Sequence, residues 1–340
     1  MIFIRVDGNS RIGSGHVMRC LSLADAAGDR GIPCCFVTAG AEFQGMIQDR
    51  GYQCIVLGTD YTNMESELPA LTKLLSDKKP DAIIIDSYFV TESYLNVLRP
   101  FGKLMYIDDL AASAYPVDAL VNYNIYAPDM GYEKLYGQKE KPVLLLGPKY
   151  APLRREFQNM DFRRPSENIR NVLVSTGGAD SEHIGLRLIR YLKAGHGEQY
   201  TFHFLLGAMN RDREEIERLA QGMGNIVLHE NVKNVRELMC SCDVALSAAG
   251  STMYELCACS LPIVTYILAD NQIAGAEKFA ALGLALSAGD ARNNEDFCGV
   301  LLNRLEELAM EYALRAAMAE RAHGIVDGRG AERVIEEVCG

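Results

Sequence analysis

Met1-Ile-Phe-Ile-Arg-Val-Asp-Gly-Asn-Ser10-Arg-Ile-Gly-Ser-Gly-His-Val-Met-Arg-Cys20 passes from a β-branched apolar run into a glycine-rich loop and then into an amphipathic stretch. Ile2–Val6 reads as a strand, and His16–Arg30 as the helix that follows it. The same order recurs downstream. Strands are expected at Cys34–Thr38, Gln53–Leu57, Ala82–Asp86, Lys103–Ile107 and Ala119–Asn122, with a helical pattern such as Glu65–Lys78 between early ones. Short β-branched runs alternating with longer amphipathic stretches predict a parallel sheet covered on both faces. Residues 127 to 168 break the pattern, with Pro128, Pro142, Pro148, Pro152 and Pro165 and no clear periodicity. From Asn171 the alternation restarts with VLVST, FHFLL, NIVLH, DVALS, PIVTYI and an apolar run ending at Leu286, each followed by a helical stretch. The expected architecture is α/β, with two Rossmann-like domains facing each other across a cleft. The division falls at 1–150 and 151–340, the helical last forty residues being assigned to the second domain.

Composition narrows the function. Of 340 residues 49% are apolar and 23% charged, enough for two cores and unlike a disordered chain. Asp plus Glu number 45 against 34 Lys plus Arg, a net charge of −11. Such a surface repels phosphate backbones and anionic headgroups, so neither a nucleic-acid partner nor membrane insertion is expected. No apolar run approaches the roughly 18 residues of a spanning helix, and the start lacks a basic leader before an apolar core. Cys34/Cys35 are adjacent, and Cys240/Cys242 and Cys257/Cys259 are C-x-C pairs, without the knuckle spacing of structural zinc sites. The ten cysteines therefore read as reduced, mostly buried hydrophobes of a cytoplasmic protein, and no metal or cofactor is expected.

In open parallel sheets ligands bind beyond the carboxyl ends of strands, which directs attention to the strand-to-helix loops. After the first strand, Gly13, Ser14 and Gly15 open a helix carrying His16 and Arg19. Glycines let a ligand approach, helix N–H groups favour anions, and an imidazole can take a proton from water. A capping loop beside an exposed histidine is the plain alternative. Met18 breaks the dinucleotide fingerprint, and no G-K-[ST] marks a P-loop. In the second half, Ser175-Thr176-Gly177-Gly178-Ala179-Asp180 follows one strand and Ser247–Glu255 another. Gly250, Ser251 and Thr252 would cradle a diphosphate, and Glu255, one turn on, would accept both hydroxyls of a ribose. Alternatively Ser251 or Thr252 only caps the helix and Glu255 only favours its dipole. Asp86-Ser87-Tyr88, Asp108-Asp109 and Ala269-Asp270-Asn271-Gln272 complete the candidates. Asp108 and Asp109 could share a metal or cap a turn. The other five histidines and the charged run Arg211–Arg218 read as surface.

I-G-S-G-H-V-M-R-C, S-T-G-G-A-D, A-A-G-S-T-M-Y-E and A-D-N-Q, in that order, together with LLGPKYAPLRREF, resemble nucleotide-sugar enzymes of GT-B fold. Among these the sequence looks most like the UDP-2,4-diacetamido-2,4,6-trideoxy-β-L-altropyranose hydrolases of pseudaminic acid biosynthesis. The motifs extend from residue 5 to residue 272, and none covers residues after about 290. The resemblance implies that His16 is the catalytic base and that Gly250, Ser251, Thr252 and Glu255 hold the UDP diphosphate and ribose. It places Asn271 and Tyr88 near the sugar and attacking water, and the backbone of Asn231 and Val232 at the uracil. Gly13, Ser14, Gly15, Arg19, Gly177, Gly178 and Gln272 complete the expected substrate contacts. The implied reaction is attack of water on the anomeric carbon with departure of UDP, by a chain that works as a monomer. The alternatives are an inverting glycosyltransferase, a hydrolysing UDP-sugar 2-epimerase and a non-catalytic nucleotide-sugar binder. His16 speaks against the last.

Overall fold

The computed structural model of the chain describes residues 1–9, 12–207 and 209–340. It contains two compact units, Met1–Arg155 with Gly328–Gly340, and Glu156–Asp327. Unit 1 has strands β1 (Ile2–Val6), β2 (Cys34–Thr38), β3 (Gln53–Val56), β4 (Ala82–Asp86), β5 (Lys103–Ile107), β6 (Ala119–Asn122) and β7 (Val143–Leu146). All pair in parallel, in the order β3-β2-β1-β4-β5-β6-β7. Alternation along each strand feeds two cores. Ile2, Ile4 and Val6 join the layer containing the helix Gly15–Asp29, whereas Phe3, Ile83, Ile85 and Tyr106 join the layer with Leu71, Leu75 and Tyr94. Each such side chain contributes about 1.5–3 kcal/mol by burial.

Unit 2 has β8 (Asn171–Ser175), β9 (Thr201–Leu205), β10 (Ile226–His229), β11 (Val244–Ala248), β12 (Ile263–Ile267) and β13 (Leu286–Asp290). They form a parallel sheet ordered β10-β9-β8-β11-β12-β13. Val172, Val174, Phe202, Phe204, Leu246 and Tyr266 pack there against Ile184, Leu188, Phe297 and Leu301. Each unit is thus a Rossmann-like doubly wound sheet. In each, strand order reverses at one place, between β1 and β4 in unit 1 and between β8 and β11 in unit 2. The crevice at such a reversal is where open α/β sheets take ligands.

Three features depart from the sequence reading. β7 lies inside the stretch read as irregular, because four apolar residues after Pro142 suffice for a sheet edge, where Val143 is 45% exposed. A short helix, Tyr132–Tyr136, occupies the same stretch. The last helix, Gly330–Cys339, belongs to unit 1, while Phe297–Met310 and Tyr312–His323 stay in unit 2. Ala331, Val334, Ile335 and Val338 enter the core beneath the helix Gly15–Asp29, and Arg333 donates to the Lys149 carbonyl at 2.9 Å. The cysteines are unpaired, and seven of the ten are buried. No helix among the described residues is long and apolar enough to cross a membrane.

A Cβ placed on Gly330 would stand 2.2 Å from the Ala151 carbonyl oxygen and 2.5 Å from the Tyr150 carbonyl carbon. Both obstacles are backbone and cannot rotate away. Gly330→Ala is therefore expected to lift the last helix and destabilise unit 1 by about 1–3 kcal/mol, read as a lower urea midpoint. An unchanged midpoint would show that the helix docks without that close approach.

Candidate functional site

At the carboxyl edge of unit 1, β1 leads into a loop that Asn9 closes. Gly13 donates its N–H to the Asn9 carbonyl at 2.8 Å, and Ile12 donates to Asn9 Oδ1 at 3.0 Å. Gly13 has φ +78°, a conformation that costs a side-chain-bearing residue. The helix Gly15–Asp29 then begins with no side-chain cap from Ser14 and no acidic residue in its first turn. His16 lies in that first turn and is buried.

The His16 ring meets Tyr88 edge to face, with centroids 4.7 Å apart at 85°. Its enclosed Nδ1 lies 2.7 Å from Asp86 Oδ1, a close contact that lacks the alignment of a hydrogen bond. Asp86 ends β4, across the reversal from β1, and is fully buried. Arg19, one turn beyond His16, holds this carboxylate. Its Nε donates to Asp86 Oδ2 and its Nη2 to Asp86 Oδ1, both at 2.6 Å. Nη2 also donates to Asp109 Oδ2 at 3.0 Å, and Nη1 reaches Asp109 Oδ2 and the Tyr123 hydroxyl, each at 3.0 Å. Burial alone would raise the Asp86 carboxyl, but the Arg19 guanidinium and then His16 outweigh it and hold it well below the usual carboxylate range. Burial, followed by Asp109, pushes the Tyr88 hydroxyl up, so Tyr88 offers a neutral donor.

These contacts engage all five guanidinium donors of Arg19 inside unit 1. Expected as a substrate contact, Arg19 instead organises the residues around His16. Asp108 and Asp109 diverge. Asp108 accepts from the backbone of Leu110 at 2.9 Å, from Ala111 at 3.0 Å and from the Tyr132 hydroxyl at 2.8 Å, so it fixes the turn. Asp109 takes Arg19 and the Asn124 amide. The turn-capping alternative describes Asp108, and the two carboxylates do not converge on a shared ion.

In unit 2 the remaining candidates stand at strand carboxyl ends. Gly177, with φ +78°, and Gly178 follow β8 and are exposed. Asp180 accepts from the backbone N–H of Ile184 and Gly185, both at 2.8 Å, and so caps the helix Ile184–Lys193. Asn231, exposed with φ +47°, and half-buried Val232 follow β10. After β11 the Gly250 N–H donates to the Ala248 carbonyl at 2.8 Å, so this donor, expected for a diphosphate, is turned inward. Ser251 stands at the start of the helix Thr252–Ala258 without making the side-chain cap that the alternative reading required. Glu255 lies half-buried in that first turn. After β12, Asn271 is exposed, while Gln272 Oε1 accepts from the Leu268 N–H at 2.8 Å and leaves only its amide group to a ligand.

Sequence reasoning gave Asp86 no role and missed Gly207. A Cβ on Gly207 would stand 2.3 Å from the Gly178 carbonyl oxygen and 2.6 Å from that of Gly177. The bare backbone of Gly207 is what allows the Gly177–Gly178 loop its position. The D-S-Y string signalled Asp86, whereas no local pattern signals Gly207.

No family model matches the chain. Its fold is that of the GT-B glycosyltransferases. Acinetobacter baumannii MurG superposes with a TM-score of 0.70 at 14% identity, covering 99% of this chain and 98% of that one. The calicheamicin glycosyltransferase CalG4 gives 0.66 at 14%, covering 99% and 97%. By sequence, the chain is similar to the UDP-2,4-diacetamido-2,4,6-trideoxy-β-L-altropyranose hydrolase of Campylobacter jejuni, 24% identical over 75% of this chain and 86% of the relative. It is similar also to the spore coat polysaccharide biosynthesis protein SpsG of Bacillus subtilis, 23% identical over 97% and 95%. An uncharacterised Methanocaldococcus jannaschii protein, MJ1062, is 25% identical over 80% of this chain, which spans just over half, 56%, of that relative's length. The resemblance drawn from the motifs thus has a named relative behind it.

Removing Arg19 would leave Asp86 buried without its counter-ion. Arg19→Met is expected to destabilise unit 1 by about 3–5 kcal/mol at neutral pH, measured by urea unfolding. The wild-type Asp86 carboxyl titrates below its unfolded value of about 3.9, so its contribution is complete above that pH and is lost as pH falls further. The deficit of Arg19→Met should accordingly shrink in acid. A deficit independent of pH would assign the loss to packing instead.

Proposed function

We propose that the chain hydrolyses a UDP-linked sugar, UDP-2,4-diacetamido-2,4,6-trideoxy-β-L-altropyranose by its relatives, to UDP and free sugar. The observation carrying this reading is the close approach of His16 Nδ1 to the buried, Arg19-held Asp86 carboxylate. With Nδ1 facing Asp86, Nε2 is the nitrogen left for proton transfer, and the carboxylate fixes the ring and tautomer as in other His–Asp pairs. One guanidinium stands among two carboxylates, Asp86 and Asp109, so a proton arriving on His16 brings the cluster to neutrality.

Water would attack the anomeric carbon while its proton passes to Nε2. The bond from that carbon to the β-phosphate oxygen breaks, and its electron pair leaves with UDP. In-line displacement inverts the centre. Tyr88, a neutral donor against the His16 ring, and Asn271 are assigned to the sugar and water. Unit 2 supplies the nucleotide side. The backbone N–H groups and hydroxyls of Ser251 and Thr252 are assigned to the diphosphate, Glu255 to the ribose, and Asn231 and Val232 to the uracil. Fixed donors of this kind stabilise leaving-group charge with little reorganisation.

The test is incubation with the UDP-sugar in ¹⁸O-labelled water without an acceptor. Free sugar labelled and inverted at C1 is expected. Inversion at C2 would indicate an epimerase, and UDP release only after addition of an acceptor a transferase. His16→Asn is expected to lower kcat by about 10²–10⁴-fold with UDP affinity retained. Near-normal turnover would remove His16 from the mechanism. Gly207→Ala should leave unit 1 intact but displace the Gly177–Gly178 loop, weakening UDP binding about tenfold, the equivalent of 1.4 kcal/mol. Calorimetry reads this directly, and unchanged affinity would exclude that loop from the nucleotide site.

A further inference from the structure

One group of exposed side chains in unit 1 has no part in the mechanism above. Tyr61 and Phe89 meet edge to face with centroids 5.6 Å apart at 80°. Phe89 is 37% exposed, and Leu110, on the loop after β5, is 52% exposed. Apolar surface gathered on neighbouring loops calls for a physical reason.

Strand order alone would keep Tyr61 away from Phe89. Tyr61 follows β3 and Phe89 follows β4, and β2 and β1 lie between these strands. Residues 57–67 nevertheless cross the carboxyl edge. The Thr91 hydroxyl donates to Glu65, and buried Glu67 accepts from Arg5 Nε and Nη2 of β1, each at 2.7 Å, and from the Tyr94 hydroxyl at 2.6 Å. The turn bearing Phe89 is fixed as well. The Phe89 N–H donates to Ser87 Oγ at 3.2 Å, the Tyr106 hydroxyl to the Ser87 carbonyl at 3.1 Å, and the Tyr94 N–H to Thr91 Oγ1 at 3.1 Å. Tyr88, on the same turn, packs against His16. Consecutive residues thus serve neighbouring places, Tyr88 at the base and Phe89 at the aromatic pair.

We propose that Tyr61 and Phe89 form an apolar subsite that receives an acyl methyl group of the sugar and so selects N-acylated over unsubstituted hexoses. The proposal rests on the UDP-sugar reading and deepens it by naming the substituent recognised. A rigid aromatic pair gains by covering a methyl group and gains little from a hydroxyl, which it would strip of water. Both residues project from fixed turns, so the subsite stands formed before the sugar arrives.

Saturation-transfer NMR with UDP-N-acetylglucosamine reads binding without turnover, since the acetyl methyl and the uracil protons report separately. In the wild type both are expected to receive saturation. Phe89→Ala and Tyr61→Ala should each lower the methyl signal relative to uracil at least threefold. They should weaken UDP-N-acetylglucosamine about 3–10-fold while leaving the affinities for UDP and UDP-glucose unchanged, and Phe89→Tyr should restore the wild-type ratio. Methyl signal and affinity retained in both alanine variants would overturn the subsite, as would uracil saturation without methyl saturation in the wild type. Methyl saturation without uracil saturation would overturn the nucleotide reading and leave the subsite standing. Absence of both signals would overturn both.

Discussion

A guanidinium withdrawn from water must have every donor answered, and Arg19 governs the first unit because it meets that demand with two carboxylates and a phenol. Its bidentate hold on Asp86 leaves that carboxylate one orientation. The position of Oδ1 then follows, and with it the side of the ring that His16 turns inward. Arg19 and His16 share a helix face at adjacent turns, so the element that carries the base also carries the cation that positions its partner. Asp86 comes from β4 and Asp109 from the end of β5, so one side chain ties the helix to two strands across the reversal of the sheet.

The two glycine-bearing loops of unit 2 look alike in sequence and behave differently. Asp180 turns back onto the helix it introduces and supplies that helix start with its own negative charge. A bound anion would compete there with a carboxylate already in place. At the other loop Ser251 makes no such cap, so the donors at the start of the helix Thr252–Ala258 have no built-in anion. This contrast assigns a phosphate to the loop after β11, and leaves the loop after β8 to contribute close-lying backbone through Gly177 and Gly178.

Local pattern carried the strands well, because each central strand is a short β-branched run between turn residues. Six of the seven strands in unit 1 stand where alternation put them, β3 ending one residue early. What escaped depends on distance in sequence. The helix Gly330–Cys339 returns to unit 1 over more than 170 residues, and its amphipathic pattern gives no address. The role of Arg19 depends on partners 67 and 90 positions away. Gly207 matters only because a carbonyl from another loop lies against it. His16 was legible because its loop is a contiguous motif, and Asp86 only as a member of a string whose contact partner remained unknown.

Arg5 is the clearest case of sequence and fold apparently in conflict. It places a cation in the middle of β1, between Ile4 and Val6, on a face otherwise packed with Phe3, Ile83 and Ile85. A buried ion pair of this kind adds little net stability over apolar residues, so its retention points to specificity of arrangement. Glu67, the partner, lies in the segment that crosses the carboxyl edge, and an apolar contact there would leave the crossing free to slide. A bidentate pair fixes both distance and angle, and Tyr94 adds a third donor to the same carboxylate. The cation in the strand therefore sets where residues 57–67 lie, and through them where Tyr61 meets Phe89 beside the base. The charge that local pattern would exclude from a central strand is what gives the edge above it a defined shape.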